Sequence, residues 1–299
     1  MTQLIGVGVP DYCLLVADRQ ITYPQGAPTQ QSKLLSFCNR AAFAFTGPAQ
    51  LDGMPTHDWA AVVLAHTNCQ VVPQALRVLS IVCPLAVAKL PQPERRLAFM
   101  VVGWGSFPGV PSAPYIATVS NMFGDSGQPV AQALPQFTIN VEPVVPPTTS
   151  IARVAGVPLL PSRADSFRSN VERLAARQLA GSGMLRLMVE EIIATASADD
   201  RVSPSSLAVC FPRPIQAQSV GPQPNVMLNT LPTGELPTFA YFEPGFDALH
   251  QLGPTVSCGT TAFADLTTSS DPSRDFQSVS MRPLRAPPEV VATIQASGL

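Results

Sequence analysis

Short runs of apolar residues open the chain, and each run ends at a turn. Residues 4–9 and 12–17 are almost wholly apolar, with Pro10 and Asp11 between them. Strands that are apolar at every position are typical of a sheet buried on both faces. We therefore expect a β-hairpin here and a short strand at 21–23. A second hairpin is expected from residues 33–38 and 41–46, ending at Gly47.

The pattern changes to helical spacing after this second hairpin. Thr56 is expected to cap a helix from His57 to His66, and Pro73 suits the first turn of a helix that runs to about Lys89. Apolar strand patterns return at 96–103, 114–120, 136–142 and 150–155, where we expect a meander with a loop at 104–113. A second helix pair is predicted at 162–180 and 183–196, followed by a strand at 205–211.

This order of elements predicts an α+β fold. The order is strands, two helices, strands, two helices and a strand. It suits a four-layer αββα sandwich, in which two stacked sheets each carry a layer of helices on the outside. Residues 1–212 form this predicted domain. Residues 213–299 are rich in Pro, Ser, Thr and Gln, and are predicted to be a Pro-rich C-terminal extension. We expect it to hold one hairpin, from 225–231 and 237–242, and a mobile tail beyond about Asp265.

Composition narrows the classes of function. Apolar residues make up 46% and charged residues only 13% of the chain, which favours an oligomer that covers part of each subunit's surface. The net charge of −2, with no cluster of Lys or Arg, argues against nucleic-acid binding. We find neither an apolar run of about 20 residues nor a secretory leader pattern, so we expect a cytoplasmic protein outside the membrane.

Cysteine and histidine offer no metal-binding pattern. The six cysteines lie far apart, with no CxxC pair, and are interpreted as buried, reduced thiols, with zinc binding or disulfides as the weaker alternatives. The three histidines are too dispersed for a catalytic triad or a metal site. Neither a metal nor an organic cofactor is therefore expected.

Thr2 is the first candidate for chemistry. Aminopeptidases usually remove Met1 when the next residue is small, and Thr2 would then carry both a hydroxyl and a free α-amine. Nucleophile and base would belong to one residue. The unperturbed pKa of an α-amine is about 7.7–8.0, so a modest decrease makes it an efficient base near neutral pH.

Three further residues have the chemistry that such a threonine needs. Lys33 opens a strand predicted to lie beside Thr2, and its charge would lower the pKa of the amine. Asp18, at the end of the neighbouring strand, would hold that lysine in place. Gly47 offers a backbone N–H for the oxyanion. Thr22 lies where exposed backbone would pair with an extended peptide substrate.

Together these residues resemble the start of proteasome β-type subunits, including the peptidase of the bacterial two-component ATP-dependent protease. The resemblance implies that Thr2 is the nucleophile, that Asp18 and Lys33 are its partners and that the Gly47 amide forms the oxyanion hole. It also implies ring-shaped homo-oligomers, a peptide substrate and a possible ATPase unfoldase. A later family motif resembles Asp200-Arg-Val-Ser203, whose Asp and Ser support the active threonine in the family. The resembling run comprises Thr2, residues 18–22, Lys33, residues 45–47 and Asp52.

Two departures from the family pattern keep alternatives open. Pro204 stands where the motif has glycine, and residues 155–158, where a serine usually faces the threonine amine, contain no hydroxyl. Taken singly, Asp18, Lys33 and Gly47 also suit a strand end, a solvated strand start and a tight turn. The main hypothesis is a threonine hydrolase that cleaves peptide bonds. The alternatives are an inactive structural or binding subunit and an amidase that acts on a small molecule.

Overall fold

The computed structural model describes residues 2–23, 28–38, 40–123, 129–177, 181–213, 237–243, 246–250, 255–256, 262–266, 279–283 and 285–299. In these ranges the chain is a mixed α+β fold with two large sheets, two small ones and five α-helices. The helices are α1 Thr56–His66, α2 Val72–Ala88, α3 Pro161–Ala176, α4 Gly181–Ala196 and α5 Pro288–Ala296. The strands are β1 Gln3–Val9, β2 Tyr12–Asp18, β3 Gln20–Ile21, β4 Thr29–Gln30, β5 Leu34–Phe37, β6 Ala41–Thr46, β7 Gln50–Leu51, β8 Met54–Pro55, β9 Ala98–Phe107, β10 Val110–Ser120, β11 Thr138–Pro143, β12 Ile151–Gly156, β13 Ser206–Pro212, β14 Thr238–Glu243, β15 Phe246–His250, β16 Thr255–Val256, β17 Ala262–Leu266 and β18 Val279–Pro283.

The first large sheet contains the N-terminal hairpin. Its order is β12-β1-β2-β13-β14-β15, with antiparallel neighbours throughout. The predicted pairing of the first two strands is confirmed. The strand predicted at 150–155 exists, but its expected place in a meander with 96–142 is wrong, because β12 pairs with β1. Pro146 and Pro147 separate it from β11, and prolines lack the N–H that a continuing hairpin needs.

The second large sheet has the order β11-β10-β9-β6-β5-β16-β17-β18. The second predicted hairpin, β5 with β6, and the meander from β9 to β11 are both confirmed. The loop expected at 104–113 is wrong. β9 continues to Phe107 and β10 begins at Val110, so a tight turn at Pro108 and Gly109 joins them, where Gly109 adopts a φ of 76°.

Three apolar clusters explain why the strands are apolar at every position. One cluster joins the two large sheets and includes Leu4, Leu15 and Met100. A second lies between the first sheet and helices α3 and α4, and it takes Ile5 and Leu14, the neighbours of Leu4 and Leu15. The third joins the second sheet to α1, α2 and α5. Successive side chains of a strand point to opposite faces, and in β1 and β2 both faces are buried.

Helix α1 begins differently from the prediction. Thr56 is the first helical residue rather than a cap, and its Oγ1 donates to the carbonyl oxygen of Pro48 at 2.7 Å. The residue before it, Pro55, belongs to β8, which pairs with β7. The chain therefore enters the helix directly from a small hairpin, and the Thr56 hydroxyl is used to hold that hairpin.

The described part of 213–299 is built into both sheets. β14 and β15 extend the first sheet, and β16, β17 and β18 extend the second. The mobile tail predicted beyond about Asp265 is wrong for α5, whose Val290 and Ile294 are buried in the cluster with α1 and α2. Two apolar residues and Thr293 on one face of this short helix are enough to anchor it. The half-hairpin predicted at 225–231 lies outside the described residues.

The interpretation of the cysteines as reduced thiols is wrong for Cys38. Cys13, Cys69, Cys83 and Cys210 are free thiols, but Cys38 is disulfide-bonded. Cys38 is half-buried in the turn after β5. Burial raises the pKa of the Cys13 and Cys83 thiols and keeps them protonated. Within the described ranges, every helix is too short or too polar to cross a lipid bilayer.

Candidate active site

Thr2 lies at the start of β1, with β2 on one side and β12 on the other. Only 4% of its surface is exposed. Its carbonyl oxygen accepts hydrogen bonds from the Val157 amide at 2.9 Å and from the Thr46 hydroxyl at 3.3 Å. The backbone of Thr2 is therefore held by both large sheets, since Val157 follows β12 and Thr46 ends β6.

Gly156 makes this position of Thr2 possible. It adopts a φ of +83°, and a Cβ added to it would lie 1.8 Å from the Thr2 carbonyl oxygen and 2.6 Å from Oγ1 of Thr46. No side chain fits at such distances. Residues 155–158, which contain no serine, therefore have a different role here: the Val157 amide binds the Thr2 backbone.

Asp18 is the centre of a buried polar cluster. Its Oδ2 lies 2.9 Å from Nζ of Lys33, and its Oδ1 accepts the Gln3 amide at 2.8 Å. Oδ2 also accepts the amides of Gln20 at 3.1 Å and Ser203 at 3.4 Å. A carboxylate with one cation and three N–H donors is well satisfied despite complete burial. The cluster ties the residue next to Thr2 to Lys33.

Burial changes the pKa of Lys33. Desolvation lowers its pKa from 10.5 to about 8, although the Asp18 carboxylate acts in the opposite direction. Lys33 therefore carries its positive charge at neutral pH and loses it in mildly alkaline solution. A cation of this kind, held close to an α-amine, favours the neutral form of the amine.

Gly47 follows β6, directly after the threonine that binds the Thr2 carbonyl. Its φ is +143°, and a Cβ would lie 2.5 Å from the Arg96 carbonyl oxygen. Arg96 and Leu97 therefore approach the chain too closely for any residue other than glycine. This close packing gives the Gly47 backbone a defined orientation, which an oxyanion donor needs.

Of the remaining predicted residues, Ser203 reaches the cluster, whereas Asp200 and Thr22 are exposed. Ser203 is buried and bonds Asp18 through its amide, while its hydroxyl is hydrogen-bonded to Gln30 and to the Ser205 amide. Asp200 is exposed, and only its carbonyl oxygen is engaged, by Nε2 of Gln20 at 2.8 Å. Thr22 is exposed immediately after β3.

Sequence reasoning missed residues that act through their backbone. Gln3 and Gln20 donate amides to Asp18, and the Gln3 side chain also donates to Oγ1 of Thr195 at 3.0 Å. A glutamine at the start of a fully apolar strand was a usable signal, because a buried amide side chain needs a partner. Backbone donors carry no such signal in a sequence.

Comparisons with known proteins give limited information. No protein-family model and no curated protein matches the sequence. Among solved structures, the chain is similar to Anbu (ancestral beta-subunit) from Yersinia bercovieri. The TM-score is 0.45 and the sequence identity 9%, over 70% of this chain and 81% of that chain. A similarity of this size does not establish a family.

Proposed function

We propose that the chain is a proteasome-like N-terminal threonine hydrolase that cleaves peptide bonds after removal of Met1. The observation that supports this most directly is the Asp18 cluster. One buried carboxylate binds Lys33 and, through the Gln3 amide, the residue that follows Thr2. An N-terminal nucleophile needs its backbone and a nearby cation held in one frame, and Asp18 links the two.

The proposed fold is the four-layer αββα sandwich of that class. The three apolar clusters support this arrangement, since one lies between the large sheets and the others lie between each sheet and its helices. Thr2 would then sit at one end of the sheet pair, where β1, β6 and β12 contribute neighbouring groups.

In the proposed mechanism the Thr2 hydroxyl attacks the substrate carbonyl. The free α-amine of Thr2 takes the hydroxyl proton, directly or through a water, and later returns it to the leaving amine. The positive charge of Lys33 keeps the α-amine neutral enough to accept the proton. The Gly47 amide stabilises the oxyanion, a donor typically worth about 3–4 kcal/mol in the transition state. Water then hydrolyses the ester on Thr2.

Ser203 and Asp200 have supporting roles in this proposal. The Ser203 amide fixes Asp18, and the Asp200 carbonyl fixes Gln20, whose amide also binds Asp18. Thr22 would present backbone to an extended substrate from its exposed position after β3. Ring-shaped self-association, an ATPase unfoldase as partner and a cytoplasmic location complete the proposal.

Two observations favour a second candidate, an inactive subunit of the same fold. The Ser203 hydroxyl is engaged with Gln30 and Ser205, and residues 155–158 provide no hydroxyl beside Thr2. In such a subunit, the residues that hold Thr2 would have a structural role and no catalytic one. A small-molecule amidase would use the same nucleophile, and it differs from a peptidase only in the substrate it accepts.

Two measurements test the proposal. Intact-mass analysis should show a chain without Met1, because a retained Met1 leaves Thr2 with no free amine. A peptide epoxyketone should then form one adduct on the processed chain, since that reagent needs both the hydroxyl and the amine. Thr2→Ala is the matched control, as alanine also permits Met1 removal but lacks the nucleophile. A processed chain that forms no adduct would support the inactive subunit instead.

A further inference from the structure

A pocket of 280 Å³ lies between β12, the start of α3 and the residues Met122, Phe123 and Pro129. Its lining is mainly apolar, and Arg96 is the one charged residue among the lining residues that the structure describes. The volume is just below the range of about 300–1,000 Å³ common for ligand pockets, and it suits a single amino acid better than a long peptide. The apolar lining includes Met122, Phe123, Pro129, Val154, Pro158 and Leu159.

The pocket shares its wall with the candidate active site. Gly156 lines the pocket and at the same time packs against the Thr2 carbonyl oxygen. Arg96 also lines the pocket, while its carbonyl oxygen lies against Gly47. A ligand in this pocket would therefore be separated from Thr2 and Gly47 by single backbone segments.

Arg96 has unused hydrogen-bonding capacity at this wall. One terminal nitrogen, Nη1, donates to the Ala131 carbonyl oxygen at 3.2 Å, but Nε is buried and has no hydrogen-bond partner among the described residues. A guanidinium offers five N–H donors in a planar fork, and a carboxylate accepts two of them at once. A buried donor left without a partner is unfavourable, so a ligand that supplies one gains affinity.

The start of α3 adds to the positive potential. Ala164, in the first turn of this 16-residue helix, lines the pocket, and that turn contains no acidic residue. The amino end of a helix carries partial positive charge, which stabilises anions. Arg96 and the helix end therefore favour the same sign of ligand charge.

We propose that this pocket binds an apolar group that carries a carboxylate, such as the C-terminal residue of a peptide or an acylated amino acid. The apolar walls bind the side chain and Arg96 binds the carboxylate. Single backbone segments separate the pocket from Thr2 and Gly47, so the inference concerns a ligand site behind the candidate active site and goes beyond the proposed function.

Binding can be measured without catalysis. We would titrate the full-length Thr2→Ala chain with N-acetyl-leucine and with N-acetyl-leucinamide, which has the same shape but no charge, by isothermal calorimetry. The acid should bind at least about tenfold more tightly, as expected for a hydrogen bond to a charged group. Arg96→Gln should abolish this preference, and Ala164→Phe should weaken both ligands by filling the pocket.

Arg95 provides the matched control. It precedes Arg96 but does not line the pocket, and its Nε donates to the Leu90 carbonyl oxygen at 2.7 Å. Arg95→Gln should therefore keep the preference for the acid. Equal binding of acid and amide to the parent chain would overturn the inference, and this comparison needs no folded Arg96 variant. A chain that fails to react with epoxyketone yet prefers the acid would contradict the proposed catalysis and leave the pocket assignment intact.

Discussion

Nζ of Lys33 and Oδ2 of Asp18 lie 2.9 Å apart, and the two side chains are almost completely shielded from water. Asp18 ends β2 in the first large sheet, whereas Lys33 immediately precedes β5 in the second. The ion pair therefore connects the two sheets at the end where Thr2 lies. A buried charge that loses its partner is strongly unfavourable, which makes this pair a sensitive point for stability.

Lys33→Met should lower the free energy of unfolding by about 3–5 kcal/mol, because it leaves the buried Asp18 carboxylate without its cation. Asp18→Asn should have a similar effect, and the double variant should be less destabilised than the sum of the two. Urea denaturation measures all three. Arg186→Met, which breaks an exposed pair with Glu190, is the control and should change the free energy by less than about 1 kcal/mol. Additive effects of Lys33 and Asp18 would contradict the pairing.

The pKa of Lys33 predicts a specific pH dependence. In the folded chain it is about 8, below the ordinary value of 10.5, because burial disfavours the charged form. Between these two values the unfolded chain binds more protons than the folded chain, so Lys33 makes the free energy of unfolding increase with pH in this window. Compared with Lys33→Met, the parent chain should gain stability from pH 8 to 10.5.

NMR gives a direct check on the same group. The Cε resonance of Lys33 should titrate with a midpoint near pH 8. A midpoint near 10.5 would show that the side chain is not desolvated as described.

Gly156→Ala should destabilise the chain and reduce labelling of Thr2. The added Cβ would lie 1.8 Å from the Thr2 carbonyl oxygen, so β1 and β12 must separate at this end. Gly109→Ala is a close control, since Gly109 has a similar φ of +76° but nothing within 4 Å of the added atom. It should cost only the backbone strain, about 1–2 kcal/mol. Equal losses at both positions would mean that the contact with Thr2 is unimportant.

Thr293→Val should loosen α5. The Thr293 hydroxyl donates to Oδ2 of the buried Asp52 at 2.9 Å, and Nζ of Lys89 donates to it at 2.7 Å. Each hydrogen bond of this kind contributes about 1–3 kcal/mol when a charged group takes part. Hydrogen exchange should become faster in 288–296 and in the turn around Asp52. Thr293→Ser keeps the hydroxyl and should retain most of the protection, and unchanged exchange in the valine variant would contradict this role.

The local sequence pattern was sufficient to predict most helices and strands, but it was insufficient to predict which strands pair with each other. The hairpins around Pro10 and between β5 and β6 are set by apolar runs and adjacent turns, so their pairing could be predicted. The pairing of β12 with β1 joins residues about 150 positions apart, such as Gln3 and Gly156, and nothing local specifies it. The apolar face of α5 was present in the sequence, but the polar composition of the residues before it concealed the signal.

The candidate site likewise divides into residues that the sequence predicts and residues whose roles only the folded chain defines. Asp18 and Lys33 were predicted from their side-chain chemistry, Gly47 from its backbone N–H, and all three from a family resemblance. The structure brings Asp18 and Lys33 into contact and gives Gly47 its close packing. The amides of Gln3, Gln20 and Val157 are equally part of the frame, yet every residue except proline has an amide. Their roles depend on register, which only the folded chain defines.

The bond between Ser203 and Asp18 joins residues 185 positions apart, and it affects the order of events during synthesis. Strand β13 must lie beside β2 before this bond can form, so a nascent chain cannot complete the cluster until about residue 212 has left the ribosome. Contacts of such long separation also slow folding, because much chain entropy is lost before they form. Thr2 is translated among the first residues, but its surroundings are completed only after about residue 212 has been made.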